Sequence, residues 1–227
     1  MVPSAVALLL ADGRFPAGGH AHSGGMEAAV TDGRVHDLAT LHRFLGGRLA
    51  TAGTVAATLA ASVCLRPDEW ERLEVEADAR MASPVLRVTS RQQGRQLLRA
   101  ATATLASVES SSPRQAPLSG VIARSGGLHL AVAMGLVAAA AGMGPEDAAR
   151  WAAYDSVVGP ATAAVRLLGL DPFAVHHVLA MLATQVDDVA GSASSSAASG
   201  SIPSPSAPML DIGAEQHARE EMSLFAS

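Results

Sequence analysis

The residues best equipped for chemistry are crowded into one stretch of this 227-residue chain, Asp12–Glu27, which reads Asp-Gly-Arg-Phe-Pro-Ala-Gly-Gly-His-Ala-His-Ser-Gly-Gly-Met-Glu. His20 and His22 could offer two imidazole nitrogens to a metal ion, but no pattern of carboxylates or cysteines completes a coordination sphere. As structure, the same histidines would orient the bends around them through backbone hydrogen bonds. Gly18-Gly19 and Gly24-Gly25 read as forced bends, because glycine alone enters the left-handed region at no steric cost. Ser23 stands where a helix N-cap could sit, with Glu27 in the first turn to complement the helix dipole. The acid falls one residue late for a capping box. So much special chemistry in one connecting segment points to a docking surface.

The remaining candidates for catalysis are sparse. There is no G-x-S-x-G elbow, and the adjacency of His22 and Ser23 makes no catalytic pair, since such pairs are built in space. Asp187-Asp188 reads as a solvated helix end. His36, His42 and His129 have no visible partner, and His176-His177 flanks an apolar stripe as an edge or interface pair. All sixteen basic residues are arginine. Without lysine there is no P-loop, no protein-kinase site and no Schiff base, so the chain can bind a GTPase but not be one. A net charge of −5 supplies no basic footprint for nucleic acid. The single cysteine, Cys64, excludes internal disulfides and reads as a small buried hydrophobe. No secretory signal is expected, and the longest apolar run, Leu128–Met143, is short for a membrane span, so a cytoplasmic, soluble chain is expected.

The elements that must position these residues are helical. Hydrophobic residues make up 49% of the chain and aromatics only 3%, so the core is to be built from Ala, Leu, Val and Met. A short apolar helix over residues 3–11 precedes the elbow, and one from about Ser23 ends near Asp32-Gly33. Asp37 caps the next, and Thr54–Leu65 continues its pattern up to Arg66-Pro67. Trp70, Leu73, Ala77 and Met81 share one face. Leu97, Leu98, Ala101 and Leu105 line a helix over 88–108, whose Arg91, Arg95 and Arg99 are expected to form a solvated face. Leu128–Met143, apolar all round, should be a central buried helix. A helix opened by Pro145 is expected to stop at Gly159-Pro160. Ala161–Leu168 follows, then a long helix opened by Asp171-Pro172. Arg166 lies among apolar neighbours and must pair or reach an interface, because a lone buried charge is very costly. The expected architecture is all-α: a helical bundle over 1–189, a flexible Ser/Ala/Gly/Pro linker over 190–208, and a docking tail over 209–227.

Three groups of motifs carry a resemblance. Leu8-Leu-Leu-Ala-Asp12, Phe15-Pro-x-Gly-Gly and His20-Ala-His-Ser-Gly-Gly-Met-Glu-Ala28 resemble the N-terminal signature of the urease accessory protein UreF family. Pro208-Met-Leu-Asp-Ile212, His217 and Leu224-Phe-Ala-Ser227 resemble its C-terminal signature, with Ser223 where an arginine is usual. Inside the chain, Ser90-Arg-Gln-Gln-Gly94 with Leu97-Leu98, the apolar Gly127–Gly144 stretch, and Tyr154 through Ala163-Ala-Val-Arg-Leu167 are similar to the family pattern. Gly169-Leu-Asp-Pro172 replaces a usual Gly-Gln pair.

The resemblance implies an all-helical homodimer with no activity and no cofactor of its own. It would bridge UreD (also called UreH) to the GTPase UreG, regulate the GTP cycle of UreG, and take part in delivering nickel to apo-urease, the metal passing through the assembly. Docking to UreD then falls to Phe15, His20, His22, Ser23, Glu27, Asp211, His217 and Phe225, with Gly18, Gly19, Gly24 and Gly25 shaping the surface. Tyr154 and Arg166 would face the dimer partner or UreG. The alternative from another class is a stand-alone nickel-binding protein using His20 and His22.

Overall fold

The computed structural model describes residues 5–17, 22–105, 118–125 and 127–219, and among them there is no β-strand: the fold is all-α. Helix α1, Ala5–Ala11, buries Ala7 and Leu10 and leaves Leu8 and Leu9 exposed. Helix α2, Met26–Thr31, follows the glycine-rich elbow. Helix α3, Leu38–Arg48, is opened by a full capping box between Asp37 and Thr40. It runs without interruption through a π-helical turn, Leu49–Gly53, into α4, Thr54–Leu65. This continuous helix, Leu38–Leu65, is long and apolar enough to cross a membrane, but 61% of its apolar window is buried inside the fold, as in a core helix.

Helices α5 (Trp70–Ala79), α6 (Pro84–Leu105), α7 (Leu118–Ser125) and α8 (Leu130–Ala140) come next. They are followed by α9 (Pro145–Leu168), α10 (Pro172–Met181), α11 (Ala183–Ser199) and α12 (Pro208–His217). The centre is formed by α4, α8, α9 and α11, and the first two are buried along almost their whole length. Small residues let these helices approach closely. A Cβ on Gly135 would stand 2.6 Å from the Ala60 carbonyl oxygen, and one on Gly94 would stand 1.9 Å from that of Leu128. Cys64 is buried, as its apolar surroundings predict.

Two expectations about helix ends are corrected. Pro160 does not stop a helix: α9 passes through it, with Pro160 buried in its interior. The flexible linker expected from residue 190 is instead helix to Ser199, with Ala190, Ala193 and Ala197 buried at helical spacing. Alanine is the best helix former, and this small-residue face packs against α4 and α9, which replaces the large apolar side chains the segment lacks. Asp187 therefore lies within a helix, 2.8 Å from Arg150 Nε, and not at a helix end. Within the expected linker only 200–207 is non-helical. Arg80 straps it down, donating from Nη2 to the Ile202 carbonyl and from Nε to that of Pro203, each at 3.0 Å.

Candidate functional site

The elbow turns where glycine was expected to turn it. Gly24 and Gly25 have φ of +58° and +86°. Both also sit where a side chain would collide: a Cβ on Gly24 would be 2.8 Å from Pro160 Cγ, and one on Gly25 would be 3.1 Å from Leu210 Cδ2. One glycine thus admits α9 and the other admits α12. Gly25, not Ser23, occupies the N-cap position of α2, and no side chain caps that helix. Ser23 is buried, with its Oγ lacking a hydrogen-bond partner among the described residues.

The C-terminal helix closes the site. Its Gly213 fits against Ala28, where a Cβ would meet Ala28 Cβ at 3.2 Å. His217 Nε2 stands 3.3 Å from Glu27 Oε2, with both residues buried. On the other flank Asp211 accepts the Ser83 N–H at 3.0 Å. Glu215 accepts the Ser83 hydroxyl and, at 3.2 Å, the Val85 N–H. Two carboxylates of α12 thereby satisfy the orphan donors at the start of α6, where the helix dipole favours negative charge. The hydrogen bond from Ser83, then that from Val85, holds the Glu215 carboxyl below its ordinary range.

Helices α2 and α12, far apart in sequence, thus pack against each other. Of the residues expected to dock a partner, Phe15, Ser23, Glu27 and His217 are turned inward. Asp211 is half-buried and bonded to the body of the protein. These side chains build the surface from beneath. On α12 the exposed residues include Met209, Ile212 and Gln216, the first two half exposed. Gly18, Gly19, His20 and Phe225 lie outside the described residues. Tyr154 is 39% exposed on α9. Arg166 is also exposed on α9, so the cost of a buried lone charge does not apply to it.

A second polar cluster was not legible. His129, 1% exposed, has its Nε2 3.2 Å from Asp78 Oδ1, while its backbone N–H donates to Glu74 at 2.9 Å. Arg91 closes the cluster, with Nε 3.0 Å from Glu74 and Nη2 2.7 Å from Asp78. Arg91 therefore leaves the solvated arginine face that its spacing predicts, while Arg95 and Arg99 stay exposed. Burial lowers the pKa of His129, against the pull of Glu74 and Asp78. The signal for this cluster was the pairing of Glu74 and Asp78, four apart on one helix, with Arg91 on the next. Arg87, with Nε 4.0 Å from Asp78, brings a second cation to the two carboxylates. Among the described residues no group of three or more His, Cys, Asp or Glu side chains is arranged to hold a metal ion.

Comparison with known proteins points to one family. The family model described as UreF matches residues 35–183, the body of the bundle. The urease accessory protein UreF of Mycobacterium sp. (strain JLS) is 42% identical over 220 residues, covering 97% of each chain. That of Mycobacterium marinum is 41% identical over 230 residues, and that of Mycobacterium tuberculosis H37Rv is 39% identical over the same length, with all of both chains covered in each case.

Proposed function

The chain belongs to the UreF family of urease accessory proteins, and from that premise we propose that it bridges UreD to the GTPase UreG in the assembly that delivers nickel to apo-urease. Its role in urease maturation as an accessory protein, and not as an enzyme, follows from the family itself. The supporting observation is that α2 and α12 pack together, so the described parts of the two signature segments lie side by side. Met209 and Ile212 put two large apolar side chains on the outer side of α12, beside the exposed Gln216, and apolar surface of this kind gains by being covered. UreD is the partner assigned to this face.

Tyr154 and Arg166, both exposed on α9, are assigned to the homodimer contact or to UreG, whose GTP cycle the chain regulates. Nickel passes through the assembly as cargo, in the cytoplasm, without a resident site on this chain. The test is capture of UreD from purified components by Met209→Glu/Ile212→Glu and by wild type. Loss of capture with an unchanged helical circular dichroism spectrum supports the assignment. Undiminished capture overturns it.

A further inference from the structure

Pro160 in the interior of α9 has no N–H, so the carbonyl of Ser156, four residues earlier, loses its helical donor. Arg48 replaces it from another helix: its Nε–H donates to the Ser156 oxygen at 2.8 Å, across 108 residues of sequence. Three irregularities meet at this point. The first is the proline-bearing turn of α9. The second is the π-helical turn Leu49–Gly53, which begins at the residue after Arg48, and whose Gly53 lies so close that a Cβ would be 2.7 Å from Ser156 Oγ. The third is Gly24 in the elbow, where a Cβ would stand 2.8 Å from Pro160 Cγ and 3.4 Å from Arg48 Nη2. Arg48 borders all three. Its guanidinium is partly enclosed, which lowers its pKa, with the charge of Asp155 opposing that effect.

A buried helical proline leaves a carbonyl that must find a donor or carry a desolvation cost. The donor it found also floors the elbow. We propose that Arg48 is a positioning residue for the glycine elbow: by supplying the N–H that Pro160 lacks, it holds the turn of α9 on which Gly24 sits, and so sets the entry of α2 and the seat of α12. The consequence for partner binding rests on the function proposed above, whereas the positioning itself is measurable on the isolated full-length chain.

The experiment compares four proteins: wild type, Arg48→Met, Pro160→Ala and the double variant. Methionine keeps much of the side-chain bulk and removes the donor, while Pro160→Ala returns an N–H to the Ser156 carbonyl. The readout is amide hydrogen exchange over 22–31 and 208–217, with α8 as internal reference. Arg48→Met is expected to speed exchange in the two segments about tenfold relative to α8. In the Pro160→Ala background the same substitution is expected to change exchange by less than about threefold. Equal acceleration in both backgrounds, or none in either, overturns the proposal. If Arg48→Met alone fails to fold, a folded double variant supports it and an unfolded one overturns it. Capture of UreD by the double variant is read separately, so that failure of the bridging role and failure of the positioning role are distinguishable.

Discussion

His217 Nε2 lies 3.3 Å from Glu27 Oε2, and neither residue is more than 8% exposed. One side chain comes from the helix after the glycine elbow and the other from α12, so the pair spans almost the length of the chain. Removing either partner takes a buried polar contact from the other, which costs about 1–3 kcal/mol. Glu27→Ala and His217→Ala should each lower stability by about 2 kcal/mol, and the double variant by less than the sum. Urea denaturation of the three variants measures both.

The seat of α12 should loosen in acid. Glu215 has its pKa lowered from an ordinary 4.5 by the bonds from Ser83 and Val85. A carboxylate of this kind contributes stability that is present above its unfolded pKa and lost as pH falls through the lower folded value. The protection of amides at 208–217, taken relative to their intrinsic exchange rate at each pH, should therefore be steady down to pH 4.5 and fall below it. Glu215→Gln should exchange faster at neutral pH and lose that acid-dependent step.

His129 gives a dependence in a different window. Its folded pKa is depressed below 6.5 by burial. The unfolded chain then binds the proton more readily, so stability falls as pH drops below 6.5. The stability difference between wild type and His129→Gln should shrink on going from neutral to mildly acid solution. Thermal melts of both proteins across that range decide it, and a constant difference would reject the assignment.

Two glycines in helices should respond oppositely to alanine. A Cβ on Gly94 would meet the Leu128 carbonyl oxygen at 1.9 Å, within the crossing of α6 and α8. Backbone cannot yield as a side-chain tip does, so Gly94→Ala should cost at least about 3 kcal/mol. Gly191, inside α11, has nothing within 4 Å of its Cβ position. Gly191→Ala should stabilise by about 0.5–1 kcal/mol through helix propensity alone. Chemical denaturation of the pair tests both signs.

Much of the fold was legible because its signals are local. Asp37 and Asp171 cap helices as their positions predict, and Pro145 opens one. The all-round apolar stretch after His129 is a buried helix. Gly24 and Gly25 take the left-handed conformations that their pairing anticipates. The family was also readable from short motifs at the two ends and in the second half of the chain.

Other features answered to groups that no local window contains. Pro160 reads as a helix stop, yet α9 continues through it, and the carbonyl that the proline abandons accepts from Arg48 on another helix. The Ala/Ser stretch after Val189 reads as linker, yet it is helix because α4 and α9 offer a surface that small side chains match. Glu27 and His217 read as surface contacts and are each other's partners. Composition and period act through neighbours in the chain, and so the sequence by itself determined most of the helical segments and where many of them begin. Whether a charge faces water or another charge depends on which helix lies against it, and only the tertiary packing decided that.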